Sequence, residues 1–188
     1  MKRLAVLVCI SVFISLLTAQ EKIEAVAIFG TETIYTRVNQ YENNENCILH
    51  YLIRVVTEVY HLKRFKVDGL KNLLQDNYLD EDRAILAIRK ANSKIKYAIF
   101  YNAKTNIITD FGYENILPAV EAEISLSVHN LQTNEVYYTV GSTGAIFTPI
   151  SLSERNIIQA SKEALRFLTS EKNPENCSVL LHSIFVNF

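Results

Sequence analysis

The chain has 188 residues, 49% of them apolar, and a formal net charge of −1. That excludes general disorder and gives no basis for a nucleic-acid partner. Five glycines and three prolines leave little room for long irregular segments.

Met1-Lys2-Arg3 is a short basic start, Leu4 to Leu17 is almost wholly apolar, and Leu17-Thr18-Ala19 supplies small residues for an export peptidase. This is the pattern of a cleaved secretory signal peptide over 1–19. The apolar run is shorter than the roughly 20 residues a spanning helix needs. Cys9 lies inside the run, not after it, so a lipid anchor there is disfavoured. The expectation is a mature domain over 20–188, periplasmic or secreted, with no membrane-spanning segment and able to associate with the outer membrane through partners. One domain of that length can build a full core. Outside the cytoplasm, Cys47 and Cys177 can bridge or stand as two buried thiols. A bridge would close a loop of about 130 residues, worth about 4–5 kcal/mol in the chain-entropy model.

Ile23 to Phe29 reads as a strand that can continue through Tyr35. The polar stretch 39–46 ends it. From Ile48 to Leu62 the spacing is helical, with Ile48, Leu52, Val55, Val56 and Val59 on one face. Lys63 and Arg64 fall at the helix end, and Phe65-Lys66-Val67 reads as a short strand. Asp68 is expected to cap a short helix holding Leu70, Leu73 and Leu74. Asp80-Glu81-Asp82 opens a helix with Ile85, Leu86 and Ile88 on its apolar side. Tyr97 to Tyr101 is a buried strand, and 102–118 is the least regular region.

Ile124, Leu126 and Val128 alternate with Glu123, Ser125, Ser127 and His129, an apolar face backed by a wet one. After the turn-like Leu131-Gln132-Thr133-Asn134 the alternation resumes in Val136, Tyr138 and Val140, which predicts a hairpin. Ser151 and Glu154 form a capping box for a helix carrying Ile157, Ile158, Ala164, Leu165 and Leu168, with Ser161 on the same face. Asn173-Pro174 stops it, and Val179 to Val186 is expected to close the chain as a strand. The order predicts an α/β (α+β) two-layer sandwich, a mixed and largely antiparallel sheet with helices mainly on one face.

Three stretches in this order carry a resemblance: Val56-Thr57-Glu58-Val59 through Arg64-Phe65-Lys66-Val67 and Leu70 to Gln75; Ala84 to Ala91 with Tyr97 to Tyr101; and the hairpin Glu123 to Tyr138 with Asn130-Leu131-Gln132-Thr133-Asn134-Glu135-Val136 at its turn. Their pattern resembles the periplasmic family of the curli-secretion protein, the TolB amino-terminal domain and the outer-membrane activators of penicillin-binding proteins. Asn134 stands where that family often has Gly. The resemblance implies envelope assembly or scaffolding through protein contacts, with no catalytic residues to carry over. A curli-type pore needs membrane strands of about 9–11 residues in pairs. The seventeen residues 102–118, with Asp110, Gly112 and Glu114 near their middle, do not supply them.

No catalytic, cofactor-binding or metal site is expected. Glu121 and Glu123 point the same way on a strand, which is ordinary for a wet face. His50 and His61 are about 16 Å apart by helical rise and cannot share a metal. His129 can approach a Glu, so a hydrolase site around His129 and Glu123 is the enzymatic alternative. Gly141-Ser142-Thr143-Gly144 matches neither a nucleophile elbow nor a phosphate loop, and reads as a bulge or bend. Asn176-Cys177-Ser178 fits a glycosylation sequon. His61, Lys63, Arg64 and Lys66 can hold an anion or only balance a helix end. Tyr35, Tyr41, Tyr78, Tyr113, Tyr137 and Tyr138 are candidates for a partner surface. The expected partners are envelope proteins or further copies of the chain, contacted through the irregular 105–117 region, with Phe111, Tyr113, Tyr137 and Tyr138 as the residues in contact. The alternative is a small-ligand carrier with a pocket between sheet and helices.

Overall fold

The computed structural model describes residues 24–35, 40–42, 46–75, 78–108, 119–147 and 154–186. The leader, the capping box at Ser151, and both Phe111 and Tyr113 lie outside them. The elements are β1 (Ala25–Tyr35), β2 (Gln40–Glu42), α1 (Cys47–Glu58), β3 (Lys63–Arg64), a 3-10 turn (Leu70–Leu73), β4 (Leu74–Gln75), β5 (Tyr78–Leu79), α2 (Glu81–Ala91), β6 (Ile95–Ile108), β7 (Ala119–Asn130), β8 (Val136–Phe147), α3 (Glu154–Phe167) and α4 (Cys177–Phe185).

The main sheet runs β2-β1-β6-β7-β8, with β3 also on β1. β1 pairs parallel with β6 along its whole length, Gly30 opposite Tyr101. β6, β7 and β8 form an antiparallel meander. The sheet is therefore mixed and largely antiparallel. Gly30 is required by this register: a Cβ there would meet the Tyr101 carbonyl oxygen at 2.1 Å and its ring at 2.4 Å.

Period-two alternation assigns the two faces. Val26, Ile28, Tyr97, Ile99, Tyr101, Ile124, Leu126 and Val128 meet α1, α3 and α4 in the larger core, through Ile48, Leu52, Leu165, Leu181 and their neighbours. Ala27, Ala98 and Phe100 on the opposite face meet Ala84 and Ile88 of α2 and Leu70 of the 3-10 turn. Three helices share one face and the fourth covers part of the other.

Several expectations change. Val179 to Phe185 belongs to α4, with Val186 at its C-cap, and not to a strand. Asn176 caps that helix, its Oδ1 accepting from the Ser178 and Val179 N–H groups at 2.9 and 3.1 Å. Its amide nitrogen donates to the Ser170 and Asn173 carbonyls. The sequon asparagine is thus buried and fully engaged. α1 stops at Glu58, Val59 is exposed, and Lys63 and Arg64 form a strand rather than a helix end. The helix expected after Asp68 is a single 3-10 turn entered through Gly69 at φ 83°. Leu86 points to solvent, and Ala84 with Ile88 are the buried positions of α2. Residues 102–108 continue β6, with Thr105 buried within it. The predicted bulge at 141–144 is present: pairing shifts between Glu121 and Glu123, and Gly144 takes φ 64°.

Candidate functional site

Both faces of β7 are covered at its hairpin end. Ser127 and His129 are not on a wet face but lie under the start of α2. Asp80 caps α2 by accepting from the Arg83 N–H at 3.1 Å. Glu81, next in line, accepts from the Ser127 hydroxyl at 2.8 Å and pairs with the His129 Nε2 at 2.7 Å. Burial works to raise the Glu81 carboxyl. The bonds from His129 and Ser127 and the imidazole's charge outweigh it and hold the group below its usual range. At the other end of α2, Arg89 donates to the Leu131 carbonyl at 3.1 Å and to the Asn134 Oδ1 at 2.7 Å. Asn134 sits at φ 62°, a left-handed position that Gly or Asn tolerates. These contacts pin α2 across the hairpin.

This geometry does not form the anticipated hydrolase site. His129 meets Glu81 and not Glu123, which pairs with Lys104 at 3.0 Å. The carboxylate lies between hydroxyl and imidazole, and no hydrogen bond joins Ser127 to His129. The imidazole therefore cannot draw the proton from that hydroxyl. Among the described residues no group of His, Cys, Asp and Glu is arranged to hold a metal.

A second polar centre lies beneath α1. Asn46 provides no side-chain cap. Glu32 of β1, 2% exposed, supplies one from a distance, accepting from the Cys47, Ile48 and Leu49 N–H groups at 3.1, 2.8 and 3.3 Å. Burial, with the charge of Glu32, raises the Tyr101 hydroxyl far above its ordinary value. Burial pushes the Cys177 thiol up to about 12; a backbone hydrogen bond opposes this and the Glu32 charge adds to it. Cys47 and Cys177 do not bridge. They open different helices, and the Cys177 side chain is committed to the core. Sequence reading missed Glu32, although its parity with Val26, Ile28 and Ile34 marks it as core-facing.

Among the described residues, the edge of the sheet at β8 is uncovered over its first half. Asn130 donates to the Glu135 carbonyl at 2.9 Å, so odd-numbered positions of the following strand bond to β7. Val136, Tyr138 and Val140 then turn their main-chain N–H and C=O groups away from the sheet. Ser142, next in that series, has both groups taken: its N–H donates to Glu175 at 2.7 Å, and its carbonyl accepts from Asn173 at 3.3 Å. Val136, Tyr138 and Val140 have no such partner among the described residues. Their side chains are 55%, 68% and 46% exposed. Of the two expected tyrosines, Tyr137 packs against the larger core and Tyr138 is open. A shallow trough of about 240 Å³ lies beside Tyr138, bordered by Glu81, Asn102 and Ser125. Another of about 380 Å³ joins Val136 to the exposed Leu86 of α2. Leu86, Val136, Tyr138 and Val140 thus edge one side of the sheet. No charged residue occurs from Val136 to Phe147.

No family model matches the chain, and no curated protein matches it. Among solved structures it is similar to the LpoB C-terminal domain of Salmonella enterica, at 15% identity over 69% of this chain and 90% of that one, TM-score 0.41. It is similar to lipoprotein GNA1162 of Neisseria meningitidis at 9% identity, over 78% and 99% of the two chains, TM-score 0.42. A third similar chain is the hypothetical protein CT253 of Chlamydia trachomatis, at 10% identity over 87% and 91%, TM-score 0.39. Likenesses of this size transfer neither a partner nor a chemistry. Among the described residues no helix is long and apolar enough to cross a membrane.

Proposed function

We propose that this chain is an exported, non-catalytic domain of the cell envelope that binds other envelope proteins by adding a strand of the partner to β8. The observation that carries this is the run Val136, Tyr138, Val140, three successive positions with outward main-chain groups and exposed apolar side chains. Sheet edges are normally blunted by charge, proline, bulges or a covering element. Here, among the described residues, the protection begins at Ser142. The pairing frame gives affinity through the main chain, and alternate side chains give specificity. The uncharged strand favours a neutral extended segment with apolar residues at alternate positions. Tyr138 is the large aromatic that can anchor it. The basic-apolar start of the chain supports export, and the hydrogen-bonded Ser127–Glu81–His129 chain serves to fix α2.

The test is a photoreactive residue at position 138, irradiated in the native envelope, with a second at exposed Val179 on α4 as control. The expected result is a discrete protein adduct from position 138 only, which disappears when Val136 and Val140 are both changed to Lys. Adducts of equal yield from both positions, or adducts that survive the two lysines in a folded protein, rule the edge out.

A further inference from the structure

On the other side of the sheet, β1 is covered among the described residues only at its two ends, by β3 and β2. At its start the Lys63 N–H donates to the Glu24 carbonyl at 2.9 Å and the Phe65 N–H to the Val26 carbonyl at 2.7 Å. At its end β2 pairs with Thr33, Ile34 and Tyr35. Even-numbered residues of β1 face this edge, as Glu24 and Val26 do. After Phe65 the chain turns away toward Gly69, and no main-chain bond from it reaches Ile28 or Gly30. Among the described residues, the outward N–H and C=O groups of those two have no partner. The stretch between, 27–31, spans roughly 16 Å at about 3.3 Å per residue.

That stretch opens on a cavity of about 440 Å³ with Leu49 and Leu70 among its apolar walls. The volume suits a small ligand or a few residues of peptide. Three cations border it, Arg64, Lys66 and Lys71, against one acid, Asp68. The Arg64 Nε is buried and has no hydrogen-bond acceptor among the described residues. A desolvated guanidinium N–H without an acceptor is unfavourable, and a carboxylate fits its planar fork.

We propose that this slot binds the carboxyl-terminal end of an extended peptide. Its main chain pairs with Ile28 and Gly30, its apolar side chains lie on Leu49 and Leu70, and its terminal carboxylate meets Arg64 with Lys66 alongside. The β8 edge takes no part in this.

The test uses the 15N-labelled protein with acetyl-Val-Ile-Val as the free acid, the same peptide as its carboxyl-terminal amide, and octanoate. The acid is expected to move the amide resonances of Ile28, Gly30 and Leu49. The amide form is expected to bind about tenfold more weakly, as is the acid to Arg64→Gln, in line with loss of a charge-assisted pair. Added salt should weaken the acid alone. Where Arg64→Gln fails to fold, the exposed Lys66→Gln takes its place, with an expected loss of about threefold at low salt. The proposal is overturned by equal binding of acid and amide, by binding of octanoate without the peptide, or by no response to the acid. It is also overturned by unchanged affinity in the variant that folds. Shifts confined to 136–140 overturn it while supporting the β8 reading. Slow hydrogen exchange at Ile28 and Gly30 in the free protein shows the slot filled by the chain itself and likewise overturns it.

Discussion

The two outer strands of this sheet are finished in opposite ways. β1 is closed at both ends by short strands, and its buried Glu32 reaches across to cap α1. The gap between those ends is narrow, cationic and recessed. β8 is open over Val136–Val140, uncharged and flush with solvent, and it is protected only where Glu175 and Asn173 take the groups of Ser142. The difference teaches how one sheet can hold its fold on one side and present itself on the other. Substitution of Glu32 should act on stability, and substitutions at Val136, Tyr138 and Val140 should act on association.

The largest expected effect is therefore at Glu32. Glu32→Ala leaves three N–H groups of α1 without their acceptor inside the protein, and should cost about 3 kcal/mol or more, read as a shift in the urea midpoint. A variant as stable as the parent would show that α1 needs no cap from β1. Next is Asn176→Ala, which removes the cap of α4 and with it the link to Ser170 and Asn173. The expected loss is about 1–2 kcal/mol by the same measurement. This loop also shields Ser142, so amide exchange at Ser142 should quicken in the variant.

Glu81 gives a smaller effect with a defined sign. Its folded carboxyl lies below its ordinary value of 4.5, so the stability it contributes is present above that pH and is lost as pH falls through the folded value. Its side chain is 39% exposed, so solvent screening holds the contribution to about 1 kcal/mol or less. The stability difference between the parent and Glu81→Gln should be present at neutral pH and shrink below pH 4.5. A difference independent of pH would remove the charge-assisted bonds from the account. On β8, Tyr138→Lys should change stability by no more than about 0.5 kcal/mol. Cys177, its thiol raised by burial, should resist alkylation until the protein is unfolded, as followed by mass.

Much of this fold was legible where period and packing agree. The α1 face, the buried strand at Tyr97–Tyr101, the hairpin and the bulge at 141–144 all follow from spacing and turn chemistry. The last element did not, because Val179, Leu180, Leu181, Ile184 and Val186 are common to strands and buried helices alike. The decisive signal was the Asn176 cap, read instead as a sequon. Ser127 and His129 alternate as a wet strand face should. Only the tertiary placement of α2 buries them. Glu32 shows the same limit: its parity is visible, while its bond to α1 spans 15–17 residues. At the candidate site, the sequence alternation groups Tyr138 with Val136 and Val140 as an apolar face, and only the register, which sets Tyr137 opposite core-facing Val128, turns that face to solvent.

Hydrogen exchange resolved residue by residue along β8 tests the open edge most directly. The amides of Val136, Tyr138 and Val140 should exchange rapidly in the isolated protein, while Tyr137 and Thr139, bonded to β7, are protected. Equal protection at all five positions would mean the edge is already paired, and the binding surface assigned to it would not exist.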